Sequence, residues 1–533
     1  MKYIYIPLTL LFLLASVELK GQGSPEEKGL KSINEDVIKA QMSFLASDWT
    51  EGRAAGEKGE RLAADYIASM LQLCGVKPFG DMERAVFNRE RTAEGGRTYF
   101  QNFTLLKTLP GDEQVLQVRT TEGKTVRITS YTHNVDFYLR PSDPSFEISA
   151  PVVFAGYAYK NEKLRYNDFL KLDLKGKFVL KISGFPKFLT EQMNDSERFR
   201  EALKMDSVLR SMGAAGIIEF RPEMKVAGRP ERPEYLDMSP SENYPSTGSP
   251  RASYQIPGDK IGDSPAKLSV SVKIANEILN GSGINLDDYI NKADKNQQNT
   301  ITPTLNKEIY LRTSVKTTQV AVRNIIGVIE GKKSDQFIVL GAHYDHMGIG
   351  NGYIWNGADD NASGTVGIMT LAKALKETGQ QPDKTIIIAL WTSEELGLLG
   401  SRYYVNNLNF PKENIKLNLN FDMISRYISD SEPGKVTMTY DSEYPYFRDI
   451  TIANLQKHGI DLLVDYQPSD DPPGGSDHRS FVARGIPIMR FKPGHREEYH
   501  MPSDENDTLD WDIMEKIIKI SFTNIWELAN SEW

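Results

Sequence analysis

The sequence predicts an α/β protein: a mixed, mostly parallel sheet flanked by helices, with an inserted β-rich domain. Three observations predict it. Four near-continuous apolar runs, QFIVLGAH (336–343), TIIIALW (385–391), KLNLNFDM (416–423) and IPIMRF (486–491), have the texture of parallel strands covered on both faces. Helical segments lie between them, GTVGIMTLAKALKETG (364–379) for example. From about 140 to 295 the texture changes to short apolar strands, PVVFAGYAY, GKFVLKISG and AAGIIEF, with a charged helix near 195–212 and a Pro/Ser-rich stretch over 221–266 that reads as long loops.

The remaining elements follow in order. MKYIYIPLTLLFLLASV carries one basic residue and an apolar run that Glu18 and Lys20 end before it can span a bilayer. It reads as a secretory signal peptide over residues 1–23, so the expected destination is secreted or periplasmic, without stable membrane insertion after cleavage. Residues 33–45 and 58–73 read as helices, the second closed by Gly75, and YFQNFTLLKT (99–108) alternates like a strand. The expected division is 24–135 for the N-terminal part of a main domain, 136–298 for the insertion and 299–533 for the rest. Cys74 is the single cysteine, so no internal disulfide is available, and its place at the apolar end of a helix suggests burial. The net charge of −9 is spread along the 533 residues, and no Lys/Arg block offers a nucleic-acid footprint.

The chemistry collects where the predicted parallel strands end, which is where open α/β sheets bind ligands. The first run ends in His343, within GAHYDHMG. The second is followed by TSEELG with Glu394 and Glu395, and the third ends in NFDM with Asp422. A loop after the fourth carries EEYHMPSD with His500. NGADDNASG (356–364) places Asp359 and Asp360 side by side before a helix. Adjacent carboxylates need a cation. The donors are imidazole and carboxylate without thiolate, which suits Zn, with Mn or Co as possible substitutes; calcium would want more oxygens and no histidine. Two histidines and three carboxylates exceed what one catalytic zinc takes and suit two ions about 3.5–4 Å apart sharing one carboxylate. One acid of the Asp359–Asp360 pair can be that bridge, the other pointing elsewhere. Of Glu394 and Glu395, one can bind metal while the other faces the water and acts as general base.

Taken together, HYDHMG, NGADDNASG, SEELGLLGS, NFDM, GGSDHRSF and YHMPSD resemble the co-catalytic dizinc exopeptidases of clan MH. These include secreted leucine-type aminopeptidases, glutamate carboxypeptidases, and the related glutaminyl cyclases and transferrin receptors. The motifs cover residues 336 to about 520, and the middle of the chain resembles a protease-associated domain. The resemblance implies the zinc-exopeptidase, phosphorylase/hydrolase-like fold and two zinc ions per chain. It implies metal ligands His343, Asp360, Glu395, Asp422 and His500, with Asp360 as the bridge. His343 would hold one zinc with Glu395 or Asp422, and His500 the other. It implies Glu394 as the general base, Asp345 as the carboxylate that orients His343, Tyr499 at the oxyanion, and a cis peptide after Asp360. Asp477–His478 would shape the pocket or make a structural hydrogen bond. His346 and His495 read as residues that support the ligands from behind or lie on the surface, and His133 and His458 as unrelated to the site. The expected substrates are peptides, cut from the amino terminus. A carboxypeptidase using Arg426, Arg484, Arg490 or Lys492 is the alternative, ahead of a one-zinc cyclase or a non-catalytic binding protein.

Overall fold

The computed structural model describes residues 23–82, 96–139, 145–193, 195–222, 252–259, 266–297, 305–350, 352–429, 431–492, 494 and 497–533. The expected signal peptide, most of the Pro/Ser-rich stretch and His495 lie outside them. Among the described residues no helix is long and apolar enough to cross a membrane.

Two strands of unusual length organise the chain. β1 (Phe100–Glu122) pairs with a distant strand along nearly all its length. Sequence alternation suggests a strand over 99–108. The structure carries it on to Glu122, since the partner continues to offer hydrogen bonds. Pro110 falls at a register shift, where a missing N–H is tolerated. After β1 come β2 (Phe146–Phe154), β3 (Phe178–Ile182), β4 (Gly216–Phe220) and β5 (Ala266–Val270), which pair in parallel in that order. The long partner of β1 is β6 (Lys307–Ile329). Its first part pairs with β2, and its last part, Ile325–Ile329, pairs with a strand of the second half of the chain.

That half contains β7 (Lys333–His343), β8 (Lys384–Trp391), β9 (Ile415–Phe421), β10 (Lys435–Asp441), β11 (Leu463–Ser469) and β12 (Ile488–Lys492). Their order across the sheet is β11-β10-β12-β9-β7-β8-β6. β8, β7, β9 and β12 run parallel to their neighbours; β6 and β10 join antiparallel. The sheet is therefore mixed and mostly parallel, as the apolar runs suggest. All eight residues of β8 are buried, because helices cover both faces. Ile338, Leu340, Ile386 and Ile388 pack toward helices Glu35–Leu45, Lys58–Leu73, Gly364–Glu377 and Trp511–Asn530. Val339, Ile387 and Trp391 pack the other way, against Tyr404, Val405 and Phe481. The period of two in each strand sets this division.

A second core gathers on β2–β5. Leu116, Val118 and Tyr131 before the expected limit of 136, and Ile309 and Leu311 after 298, also belong to it. The β1–β6 ribbon thus serves both cores. Within the second core Asp168 is a hub. Its carboxylate accepts from the backbone N–H of Tyr157 (3.1 Å) and Tyr159 (3.3 Å) and from the hydroxyls of Tyr166 (2.8 Å) and Tyr289 (2.9 Å). Hydrogen bonds to a charged group contribute about 1.5–3 kcal/mol, and donors left unpaired cost more. Asp168→Ala should therefore destabilise this core by about 2–4 kcal/mol, read as a lower midpoint in denaturant, while metal uptake by the second half of the chain stays unchanged.

Candidate metal centre

Parallel pairing brings the strand ends level. His343 lies opposite Trp391 and Ala342 opposite Phe421, so His343, the turn after β8 and Asp422 meet at one sheet edge. Glu394 and Glu395 sit in that turn, Asp360 in the turn before helix Gly364–Glu377, and His500 in the segment after β12. The structure brings all five expected ligands together.

Asp360 is central. Its Oδ1 is 3.4 Å from His343 Nε2, and its Oδ2 is 3.0 Å from His500 Nε2. The two oxygens of one carboxylate thus face two histidines. Asp422 Oδ1 lies 3.9 Å from His343 Nε2, and Glu395 Oε2 lies 3.3 Å from His500 Nε2. The geometry divides the donors into His343, Asp360 and Asp422 on one side and His500, Asp360 and Glu395 on the other. Ligand atoms bound at about 2.0–2.2 Å to one tetrahedral zinc stand roughly 3.4 Å apart. The observed separations bracket that value, so these nitrogen and oxygen donors fit two zinc ions sharing Asp360. Glu394 Oε2 is 4.0 Å from His343 Nε2.

The backbone around Asp360 is fixed from several sides. Asp504 accepts from the N–H of Asp359 (2.9 Å) and of Asp360 (3.0 Å). The Asn361 amide donates to the carbonyl of Phe421 (3.0 Å) and accepts from the N–H of Gly364 and Met423. The Asp360–Asn361 peptide bond is cis, matching the expectation drawn from the resemblance. Asp359 points away from its neighbour. It accepts from the Ser425 N–H (3.1 Å) and hydroxyl (2.6 Å), with Arg426 Nε 3.6 Å from its other oxygen. Ser393, Met423 and His500, each next to or among the site acids, adopt positive φ without being glycine, a conformation that costs on the order of 1–3 kcal/mol apiece.

Charge explains the protonation pattern. Burial pushes Glu394 well above the usual carboxylate range; His343 opposes this, and Glu395, Asp477 and Asp422 add to it. Burial also raises Glu395, but hydrogen bonds with His346 and His500 outweigh it and hold that carboxyl well below its ordinary value. For His500, burial pulls down, yet Asp360 and Glu395 push it up to about 10. His343 is likewise raised by the surrounding acids against the effect of burial. Asp422 is held low despite burial, through the His343 hydrogen bond and the charges of His343, Lys492 and Arg490.

Asp345 takes a different position from the one implied by the resemblance. The nearest acceptor to His343 Nδ1 is the main-chain carbonyl of Asp345 at 3.2 Å, while the carboxylate stands at 3.8 Å. That carboxylate accepts instead from the N–H of Glu394 (3.0 Å) and Glu395 (3.3 Å), holding the turn that carries both glutamates. The Tyr499 ring stacks on His500, with centroids 3.9 Å apart. His346, read from sequence as a residue behind the ligands or on the surface, is the former: its Nδ1 is 2.8 Å from Glu395 Oε1, and it groups with Asp360 and Glu395. The second histidine of HYDH was the available signal. His478 contacts the Pro473 carbonyl and Arg490, and His458 pairs with Glu26 away from the centre.

Residues 324–525 match the model of Peptidase family M28. A probable leucine aminopeptidase 2 of Trichophyton verrucosum (strain HKI 0517) is 36% identical over 173 residues, which are 31% of this chain and 32% of the relative. Leucine aminopeptidase 2 of Trichophyton rubrum matches equally. The chain thus spans about a third of the length of these relatives. An aminopeptidase from Aneurinibacillus sp. strain AM-1 shares the fold over 95% of this chain and 97% of its own, with a TM-score of 0.56 and 16% identity. A zinc aminopeptidase from Bacillus subtilis does so over 94% and 96%, at a TM-score of 0.50 and 19% identity. The matched segment, residues 324–525, holds every ligand candidate described above.

Proposed function

We propose that the protein is a secreted or periplasmic zinc-dependent exopeptidase, an aminopeptidase that removes N-terminal residues from peptides. The observation that carries the reading is Asp360, whose two oxygens face His343 and His500 while Glu394, largely buried, stands beside them. The proposed ligands are His343, Asp360 and Asp422 for one zinc, and His500, Asp360 and Glu395 for the other. In the proposed layout a signal peptide over 1–23 precedes the main domain, and 136–298 is an inserted protease-associated domain.

Bound zinc supplies Lewis acidity toward the scissile carbonyl and an acidified water. Glu394 takes the water's proton and delivers it to the leaving amine. Its raised affinity for a proton, imposed by burial, suits a group that must first accept and then donate. Asp345 holds Glu394 and Glu395 in their relative orientation through their backbone N–H groups. Tyr499, whose ring stacks on His500, is the proposed donor to the developing oxyanion. A free substrate amine is cationic and is attracted by the surrounding acids. The cations a terminal carboxylate would need are largely engaged: Arg426 with Thr508, Arg490 with His478, and Arg484 with Asn406. This supports amino- over carboxypeptidase action.

Two outcomes test the proposal. Glu394→Gln should lower kcat on free-amine aminoacyl anilides by about 10²–10⁴-fold while the protein still binds two zinc ions; an active variant would remove Glu394 as the base, and turnover confined to amino-blocked peptides would point to the carboxypeptidase. His500, held near 10 without metal, keeps its proton at neutral pH and must release it to bind zinc. Calorimetric titration of chelator-stripped protein with zinc, repeated in buffers of different ionisation enthalpy at pH 7, should therefore show net proton release, and affinity should fall as the pH is lowered.

A further inference from the structure

One cationic side chain outside the family-matched segment reaches the site. Arg53 ends the turn Asp48–Arg53 and is fully buried. Its guanidinium spends its donors on main-chain carbonyls. Nε donates to Tyr344 (2.8 Å), Nη1 to Leu45 (2.5 Å) and Asn356 (2.6 Å), and Nη2 to Gly357 (2.9 Å). Its own carbonyl accepts from the N–H of His346 (3.1 Å). These partners include, besides Leu45, the residue after His343, the histidine that contacts Glu395, and the two residues that lead into the Ala358–Asp360 turn. Among the described residues Arg53 makes no ion pair, although Asp345, Asp504, Asp360 and Glu395 all act on its charge. The preceding glycine allows the approach. A Cβ on Gly52, which has φ +65°, would lie 2.5 Å from the carbonyl oxygens of Gly348 and Trp355.

We infer that Arg53 is a positioning residue for the metal centre: it ties the His343 strand end and the Asp360 turn into one frame. Its fixed positive charge also balances the acid cluster before metal arrives. The planar fork is what the arrangement uses, since four carbonyls from three different segments lie in reach of one guanidinium. A lysine ammonium keeps the charge but cannot hold the same set in a fixed geometry. The inference rests on the zinc reading of the site.

The test uses the full-length chain and zinc itself. Zinc affinity is measured by chelator competition for the wild type, Arg53→Lys, Arg53→Gln and Ile67→Ala, alongside the thermal unfolding of each zinc-free protein. Ile67 is a buried residue of helix Lys58–Leu73, so its truncation destabilises the same N-terminal region without touching the carbonyls held by Arg53. Both Arg53 variants should lose about 10–100-fold in zinc affinity, the scale typical when a group supporting metal ligands is removed. At saturating zinc Arg53→Lys should lose kcat with little change in KM. Ile67→Ala should lower the melting temperature and leave zinc affinity intact. Wild-type affinity in both Arg53 variants, or a loss matched by Ile67→Ala at equal destabilisation, would overturn the positioning role. A wild type that binds no zinc would instead remove the metal reading on which it rests.

Discussion

A carboxylate that serves two histidines must be held so that neither oxygen is free to turn away. Asp360 meets this condition through its backbone. Asp504 takes its N–H, the Asn361 amide reaches across to Phe421 and Met423, and Arg53 grips the residues that precede the turn. Only with that turn fixed do Asp422 and Glu395 fall on opposite sides of Asp360. The cost is charge. Two carboxylates about 4 Å apart repel by roughly 4 kcal/mol at the effective dielectric of a protein site. The cluster around Asp360 cannot sit in the interior without cations or protons. Raised histidines and a raised Glu394 provide them in the metal-free form, and two zinc ions would replace those protons.

The scaffold makes such a site affordable. β8 is buried throughout, β9 all but Lys416 and β7 from Phe337 onward, so their carboxyl ends are fixed in register and deliver His343, the Glu394 turn and Asp422 to one edge. The loops that complete the site are tied to this frame. Asp345 holds the two glutamates, and the Trp355 indole donates to the carbonyl of His500 (3.3 Å). The positive-φ residues Ser393, Met423 and His500 cluster at these joints, where surrounding bonds can sustain unfavourable backbone.

Sequence reveals what depends on pattern and conceals what depends on distant pairing. The four parallel strands are legible because double-sided burial leaves an unbroken apolar run, and their ends locate the proposed ligands. The pairing of donors is not legible: sequence leaves His343 with either Glu395 or Asp422, and the register of β7 with β9 assigns Asp422. The continuation of β1 past Pro110 is hidden because its hydrogen-bond partner lies some two hundred residues away. The role of Arg53 comes from carbonyls about three hundred residues away in sequence, which only folding brings near. His346 and Asp345 show the same limit at shorter range. Adjacent positions gave their chemistry but not their direction, so the Asp345 carboxylate supports the glutamates while its carbonyl faces His343.

The central claim is that Asp360 bridges two metal ions. Zinc K-edge X-ray absorption on the zinc-loaded protein tests it most directly. The account predicts nitrogen and oxygen scatterers at about 2.0–2.2 Å, no sulfur, and a zinc–zinc vector at about 3.5–4 Å that disappears in Asp360→Ala. A spectrum with a full nitrogen and oxygen shell but no metal–metal vector at two zinc ions per chain would contradict it.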